Sequence, residues 1–174
     1  PTDQVESQTK PLSTDLNAAD EYEFALDLAG LEVKRQRYDR AEALLQKLRK
    51  TKKQDNRVYR LLAQVYEAQK KPDMALIAWQ QVNKAEGIRL SDESELARLA
   101  LMNEQYEMAE NIYQSWLQSG EKLQQVSALN NLGFSSILQK QYAVAKNYFQ
   151  QALELDPLNA KAINNLKLVT KLME

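Results

Sequence analysis

Residues 128–159 read ALNNLGFSSILQKQYAVAKNYFQQALELDPLN, a strongly helical stretch into which one glycine and several alanines are set. Gly133, Ala145 and Ala152 stand where a larger helix former would bury more surface. Undersized side chains inside helices mark places where two helices must approach closely. The stretch therefore reads as two amphipathic helices, A and B, joined by a tight turn at Lys140-Gln141-Tyr142 and closed by the Leu-Asp-Pro stop that ends at Pro157. Leu132, Tyr142 and Phe149 fill the space around the small pair, and Ala152 relieves crowding where helix B meets the helix that follows.

Working outward, the same register recurs upstream. An aromatic residue or proline stands three residues before an alanine at Tyr38/Ala41, Pro72/Ala75, Tyr106/Ala109 and Tyr142/Ala145, and the alanines are spaced by 34, 34 and 36. Twelve residues before each alanine is another small residue, Ala29, Ala63, Ala97 or Gly133, and each follows a leucine, Leu28, Leu62, Leu96 or Leu132. Four residues after each alanine comes a large apolar group, Leu45, Trp79, Tyr113 or Phe149. Four copies of one register mean four two-helix units that stack on one another.

A 34-residue unit with Leu-Gly/Ala, Tyr, Ala, an aromatic and Pro at these offsets resembles the tetratricopeptide repeat. Over residues 126–159 the resemblance covers Leu132, Gly133, Tyr142, Ala145, Phe149, Ala152 and Pro157. The units starting near Tyr22, Asn56 and Leu90 lack the terminal Pro, and Val82 or Trp116 stands where a small alanine is usual. The resemblance extends over residues 22–174. It implies an all-α fold, a right-handed α-α superhelix (solenoid) of about four helix-turn-helix units, 22–55, 56–89, 90–125 and 126–159, plus a capping helix over 160–174. Residues 20–174 then make up the repeat domain. Residues 1–19, polar and containing Pro, Ser and Thr, read as a flexible lead-in, either a tether to an upstream anchor or a frayed terminus without its initiator Met. SGEKLQQ at 119–125 accounts for the spacing of 36, with a longer loop and a helix C-terminus at Gly120 expected there.

The totals narrow the chemistry. The chain has 174 residues, 44% of them apolar, enough for a core, and only four glycines and four prolines, which speaks for helix. With no histidine and no cysteine it cannot assemble a Ser-His-Asp or Cys-His nucleophile, a thiolate or imidazole zinc site, or the usual axial haem ligands. No apolar run approaches the ~18 residues of a membrane span. SGEK lacks the glycine spacing of a phosphate loop, and the acidic residues are dispersed along helix faces rather than set as a calcium loop. The expectation is a non-enzyme without metal or cofactor. The net charge is −1, yet residues 34–60 hold eleven Lys/Arg against three Asp/Glu. That basic end reads as a solvated face; the alternative is nucleic-acid binding through the basic first repeat, without interleaved aromatics to stack bases.

Function is then a matter of surfaces. In the resembled family the A helices line a concave groove that takes a peptide or helix of another protein. The register puts these positions of the groove at Arg60 and Gln64 in the second unit, Glu95 and Arg98 in the third, Asn130, Asn131 and Phe134 in the fourth, and Asn164 and Asn165 in the capping helix. The first unit contributes Glu23, Leu26, Asp27 and Gly30, and the capping helix adds Lys161. Asn131 and Asn165 match groove asparagines of the family that hold a peptide backbone; the plainer reading is that these amides bond water. Leu101, Met102, Phe134, Ile137 and Leu138 form either core or a hydrophobic floor for a partner helix, with Phe134 its anchor. Leu26 and Gly30 occupy places where a carboxylate clamp would need Lys and Asn. The resulting expectation is a protein-binding scaffold, open to self-association, with nucleic acid disfavoured. The polar lead-in and ALNNLG are also similar to bacterial tetratricopeptide lipoproteins of pilus or secretion assembly, in which an upstream lipidated cysteine would anchor a periplasmic domain to the membrane; otherwise the domain is cytoplasmic.

Overall fold

A computed structural model describes residues 17–82 and 88–174; most of the lead-in, residues 1–16, lies outside the described residues. Among the described residues there are nine helices and no strand: α1 (Ala18–Lys34), α2 (Tyr38–Thr51), α3 (Asn56–Ala68), α4 (Pro72–Val82), α5 (Leu90–Met102), α6 (Tyr106–Leu117), α7 (Lys122–Leu138), α8 (Tyr142–Leu155) and α9 (Ala160–Leu172). Odd-numbered helices are of A type and even-numbered ones of B type, and each packs chiefly on its neighbours in the chain. The result is a solenoid with α9 as its last A helix.

The recurrent aromatic or proline is the first residue of each B helix: Tyr38, Pro72, Tyr106 and Tyr142. Proline suits that position because its missing N–H has no partner in a helical first turn anyway. The first four A helices end in the same turn, with one residue in the left-handed region: Gln36, Lys70, Glu104 and Lys140, at φ 58–59°. A bond spanning five residues closes each turn, from Arg37 N to Glu32 O, Lys71 N to Tyr66 O, Gln105 N to Ala100 O and Gln141 N to Ser136 O, all at 2.8–2.9 Å. That bond satisfies carbonyls the helix end would otherwise leave open.

The small residues lie inside. Ala29, Ala41, Ala63, Ala75, Ala97, Ala109, Ala145 and Ala152 are fully buried. Gly133 is buried too, and a Cβ placed on it would come within 2.5 Å of Cε1 of the Phe149 ring. One core cluster runs from Leu26 to Leu132 through the first three hairpins. Ala152 joins Val126, Leu129 and Ala162 where α8 meets α7 and α9, and Ala145, Phe149 and Val169 seal the last hairpin beneath α9.

Two local expectations are corrected. The helix before Gly120 ends at Leu117 with Gln118 as its cap, and Gly120 sits at φ 77° in the linker instead. That linker, residues 118–121, is no longer than the one at 52–55; the extra residues lengthen α7 to 17 against 13 in α3 and α5. The helical extension is held by Gln125, whose Nε2 donates to Leu117 O at 3.0 Å.

Candidate functional site

Short turns reverse the chain twice between successive A helices, so α5, α7 and α9 run in the same direction. Between them lies a cleft of about 720 Å³ with Arg98 and Met102 on one side, Asn131, Phe134 and Leu138 along α7, and Asn165 on α9. A second cleft of about 530 Å³ continues from it past Leu90, Leu123 and Ser127, sharing Ser94, Asn130, Asn131 and Lys161 with the first. Large apolar side chains stand open here: Met102 is 66% exposed, Phe134 43% and Leu138 40%.

The sequence candidates divide into two groups. Arg98, Asn130, Asn131, Phe134 and Asn165 line the larger cleft; Arg60, Gln64, Glu95 and Asn164 do not. Arg60 is spent on Asp92, with Nε to Oδ1 at 2.9 Å and Nη2 to Oδ2 at 2.6 Å. Gln64 and Asn164 are exposed. Glu95 accepts from Arg98 Nε at 2.8 Å, while Arg98 Nη2 reaches Glu67 at 2.5 Å and Nη1 faces Met102 Sδ at 3.2 Å.

Asn130 does not point away from the stack: it is 3% exposed. Its Nδ2 donates to Val126 O at 3.1 Å and to Asn159 Oδ1 at 3.4 Å. Asn159 Oδ1 in turn accepts from Ala162 N at 3.0 Å, capping α9. Asn130 therefore fixes α9 against α7, and through it sets where Asn165 and Lys161 stand. Its Oδ1 is buried and has no hydrogen-bond partner. Leu26 is likewise inside, 5% exposed, and Ile137 packs against the cluster of Ala145, Phe149 and Val169, whereas Met102, Phe134 and Leu138 stay open. The expected apolar stripe is thus part core and part floor. Glu104 and Tyr106, on the cleft wall, were not among the expected groove residues; Glu104 is the left-handed residue of the A-to-B turn and Tyr106 the recurrent aromatic that opens α6, so the repeat register could have pointed to both.

Toward the first hairpin the concave face is crossed by charge pairs between units. Arg57 bonds Glu23 of the preceding unit at 2.7 Å and Asp55 at 2.7 Å, and Tyr22 Oη donates to Asp55 Oδ2 at 3.1 Å. Burial and the Asp55 carboxylate push the Tyr22 phenol up to about 12. These contacts also account for part of the basic stretch: Arg37 pairs with Glu32 at 3.5 Å, Arg57 and Arg60 are paired, and Lys52 Nζ lies 5.7 Å from the centre of the Tyr22 ring. Lys34, Arg35, Arg40, Lys47, Arg49, Lys50 and Lys53 are exposed. Among the described residues no group of three or more acidic side chains could hold a metal ion, and no helix is long and apolar enough to cross a membrane.

Solved structures with the same fold include YrrB, described as a TPR protein with an unusual peptide-binding site: 18% identity, 86% of this chain and 76% of that chain covered, TM-score 0.66. MamA from Desulfovibrio magneticus RS-1 matches at 16% identity over 88% of this chain and 86% of its own, TM-score 0.70. PilF of Pseudomonas aeruginosa matches at 17% over 89% and 70%, TM-score 0.62. No curated protein matches the sequence. Family models described as tetratricopeptide repeat match residues 17–65 and 126–159, the second coinciding with the stretch where the small-residue register is complete. Matched segments, hairpin period and shared turn agree: residues 17–65 and 126–159 match the tetratricopeptide repeat, and the chain shares the fold of the solved repeat proteins.

Proposed function

We propose that this protein is a binding scaffold without catalytic activity of its own, and that it holds a peptide or helix of another protein in the cleft over α5, α7 and α9. The observation that carries this reading is the open apolar floor beside Asn131 and Asn165: a ring 43% exposed at the centre of a cleft costs solubility unless something covers it. The half of the concave face toward α1 is crossed by its own ion pairs, which directs a partner to the other half. YrrB, with its peptide-binding site on the same fold, supports the assignment in kind.

The test is a titration against a peptide selected for binding to the wild-type protein. Combined Asn131→Ala and Phe134→Ala substitution is expected to weaken binding at least about tenfold, as loss of a central aromatic anchor does. Unchanged affinity would count against the groove. The narrower proposal, assembly of a bacterial pilus or secretion apparatus, is supported only by the polar lead-in and ALNNLG. A lipid-attachment signal encoded upstream of residue 1 would strengthen it.

A further inference from the structure

Two charged residues on the cleft walls stand at the wrong ends of their helices. Lys161 is the second residue of α9, in the first turn, where the helix dipole already presents positive charge. Glu104 follows Asn103, the C-cap of α5, where the dipole presents negative charge. The equivalent turn residues Gln36, Lys70 and Lys140 are neutral or cationic, as a helix C-terminus favours. At the register position of Lys161 the earlier units carry Glu23, Arg57, Ser91 and Ser127, and Arg57 is neutralised by Glu23 and Asp55. Neither Lys161 nor Glu104 has an ionic partner among the described residues, whereas Arg98, the other charge on the wall, is taken by Glu67 and Glu95.

The two lie at diagonally opposite corners, since one opens α9 and the other closes α5 while both helices run the same way. Between them is the apolar floor, with Phe134 and Leu138 one helical turn apart on α7 and Met102 facing them from α5. A spacing of one turn matches the i, i+4 side chains of a helix laid along α7.

Resting on the groove reading above, we infer that the partner is an amphipathic helical segment of another polypeptide: an apolar stripe seats on Met102, Phe134 and Leu138, an acidic residue meets Lys161 and a basic residue meets Glu104. The two misplaced charges weaken the free protein slightly and are compensated in the complex.

The test uses the full chain and two synthetic helical peptides of about four turns, long enough to hold a helical face. Both carry leucines at i, i+3, i+4 and i+7; one has glutamates at one end and lysines at the other, the second has glutamines at both. Glu104→Lys and Lys161→Glu are each expected to raise the folding equilibrium constant about two- to fivefold, the usual effect of correcting a charge at a helix end. The double variant is expected to bind the charged peptide about tenfold more weakly than wild type and the glutamine peptide unchanged. Undiminished affinity for the charged peptide, with a loss at Phe134→Ala, overturns the charge pattern and leaves the groove standing. Stability that falls in both single variants overturns the premise. A wild type that binds neither peptide overturns the helical partner, and the selected peptide of the preceding test then judges the groove by itself.

Discussion

Asp92→Ala is expected to lower the stability of the whole stack by about 3–5 kcal/mol, the cost of breaking a buried ion pair by removing one partner. Asp92 is 2% exposed, at the start of α5, and Arg60 on α3 is 16% exposed by side chain. The carboxylate receives Arg60 Nε at 2.9 Å and Nη2 at 2.6 Å, and the backbone N–H of Arg89 at 3.0 Å. One side chain thus starts α5 and ties it to the previous unit. Truncating it strands the Arg60 guanidinium in a poorly solvated place. Arg89→Ala is the control: its side chain is 61% exposed, so its 3.3 Å contact with Asp92 is worth no more than about 1 kcal/mol. Urea unfolding of the two variants reads both values, and a loss under about 1 kcal/mol for Asp92→Ala would show that the stack is not held here.

The same carboxylate makes the fold acid-sensitive. Burial pushes the Asp92 carboxyl up, but the hydrogen bonds from Arg60 and from the backbone and side chain of Arg89 outweigh it and hold the pKa at about 2. In the unfolded chain it titrates near about 3.9. Between those values the unfolded state binds more protons than the folded one, so the contribution is complete above about pH 4 and is lost as pH falls toward 2. Unfolding midpoints are expected to drop over that window in the wild type and to drop less in Asp92→Asn.

Arg60 shows why the groove was harder to read than the fold. The repeat was legible because close helix contacts admit only small residues, and a period of small residues survives in the sequence whatever the surface does. Groove membership depends on where each A-helix side chain points, and an A helix is packed on several sides at once. Register alone therefore put Leu26, Arg60 and Asn130 on the open face, while the structure uses the first as core, the second as an inter-unit ion pair and the third as a strut for α9. A signal for the ion pairs was present. Glu23 and Arg57, Arg60 and Asp92, and Glu67 and Arg98 are opposite charges 34, 32 and 31 residues apart, about one repeat, which is the separation that brings neighbouring A helices together. The left-handed turn residues were not legible, because none of Gln36, Lys70, Glu104 and Lys140 is a glycine.

Gly133→Ala is expected to cost about 2 kcal/mol net, although alanine is the better helix former by about 1 kcal/mol. The new Cβ would meet Phe149 Cε1 at 2.5 Å, Cζ at 2.7 Å and Cδ1 at 2.9 Å, and Phe149 is fully buried, so its ring has no open space to move into. Overpacking typically costs about 1–3 kcal/mol, and three contacts of 2.5–2.9 Å with one ring put this case at the upper end, so that about 2 kcal/mol remains after the helix gain. The first unit shows a compensating arrangement: its small position is alanine, Ala29, the large residue that follows is Leu45, and both are completely buried. Gly133→Ala combined with Phe149→Leu rebuilds the pairing of the first unit inside the fourth. The double variant is therefore expected to be more stable than the sum of its single variants allows, with a coupling of about 1–2 kcal/mol in a double-mutant cycle read by chemical unfolding. Additive losses would mean that Gly133 and Phe149 are not matched to each other, and that the glycine at the centre of the best-formed repeat has some other cause. Because Phe149 also packs with Val169 of α9, a displaced ring is expected to loosen the capping helix as well, so the single variant should speed amide exchange along α9 and the double variant should restore it.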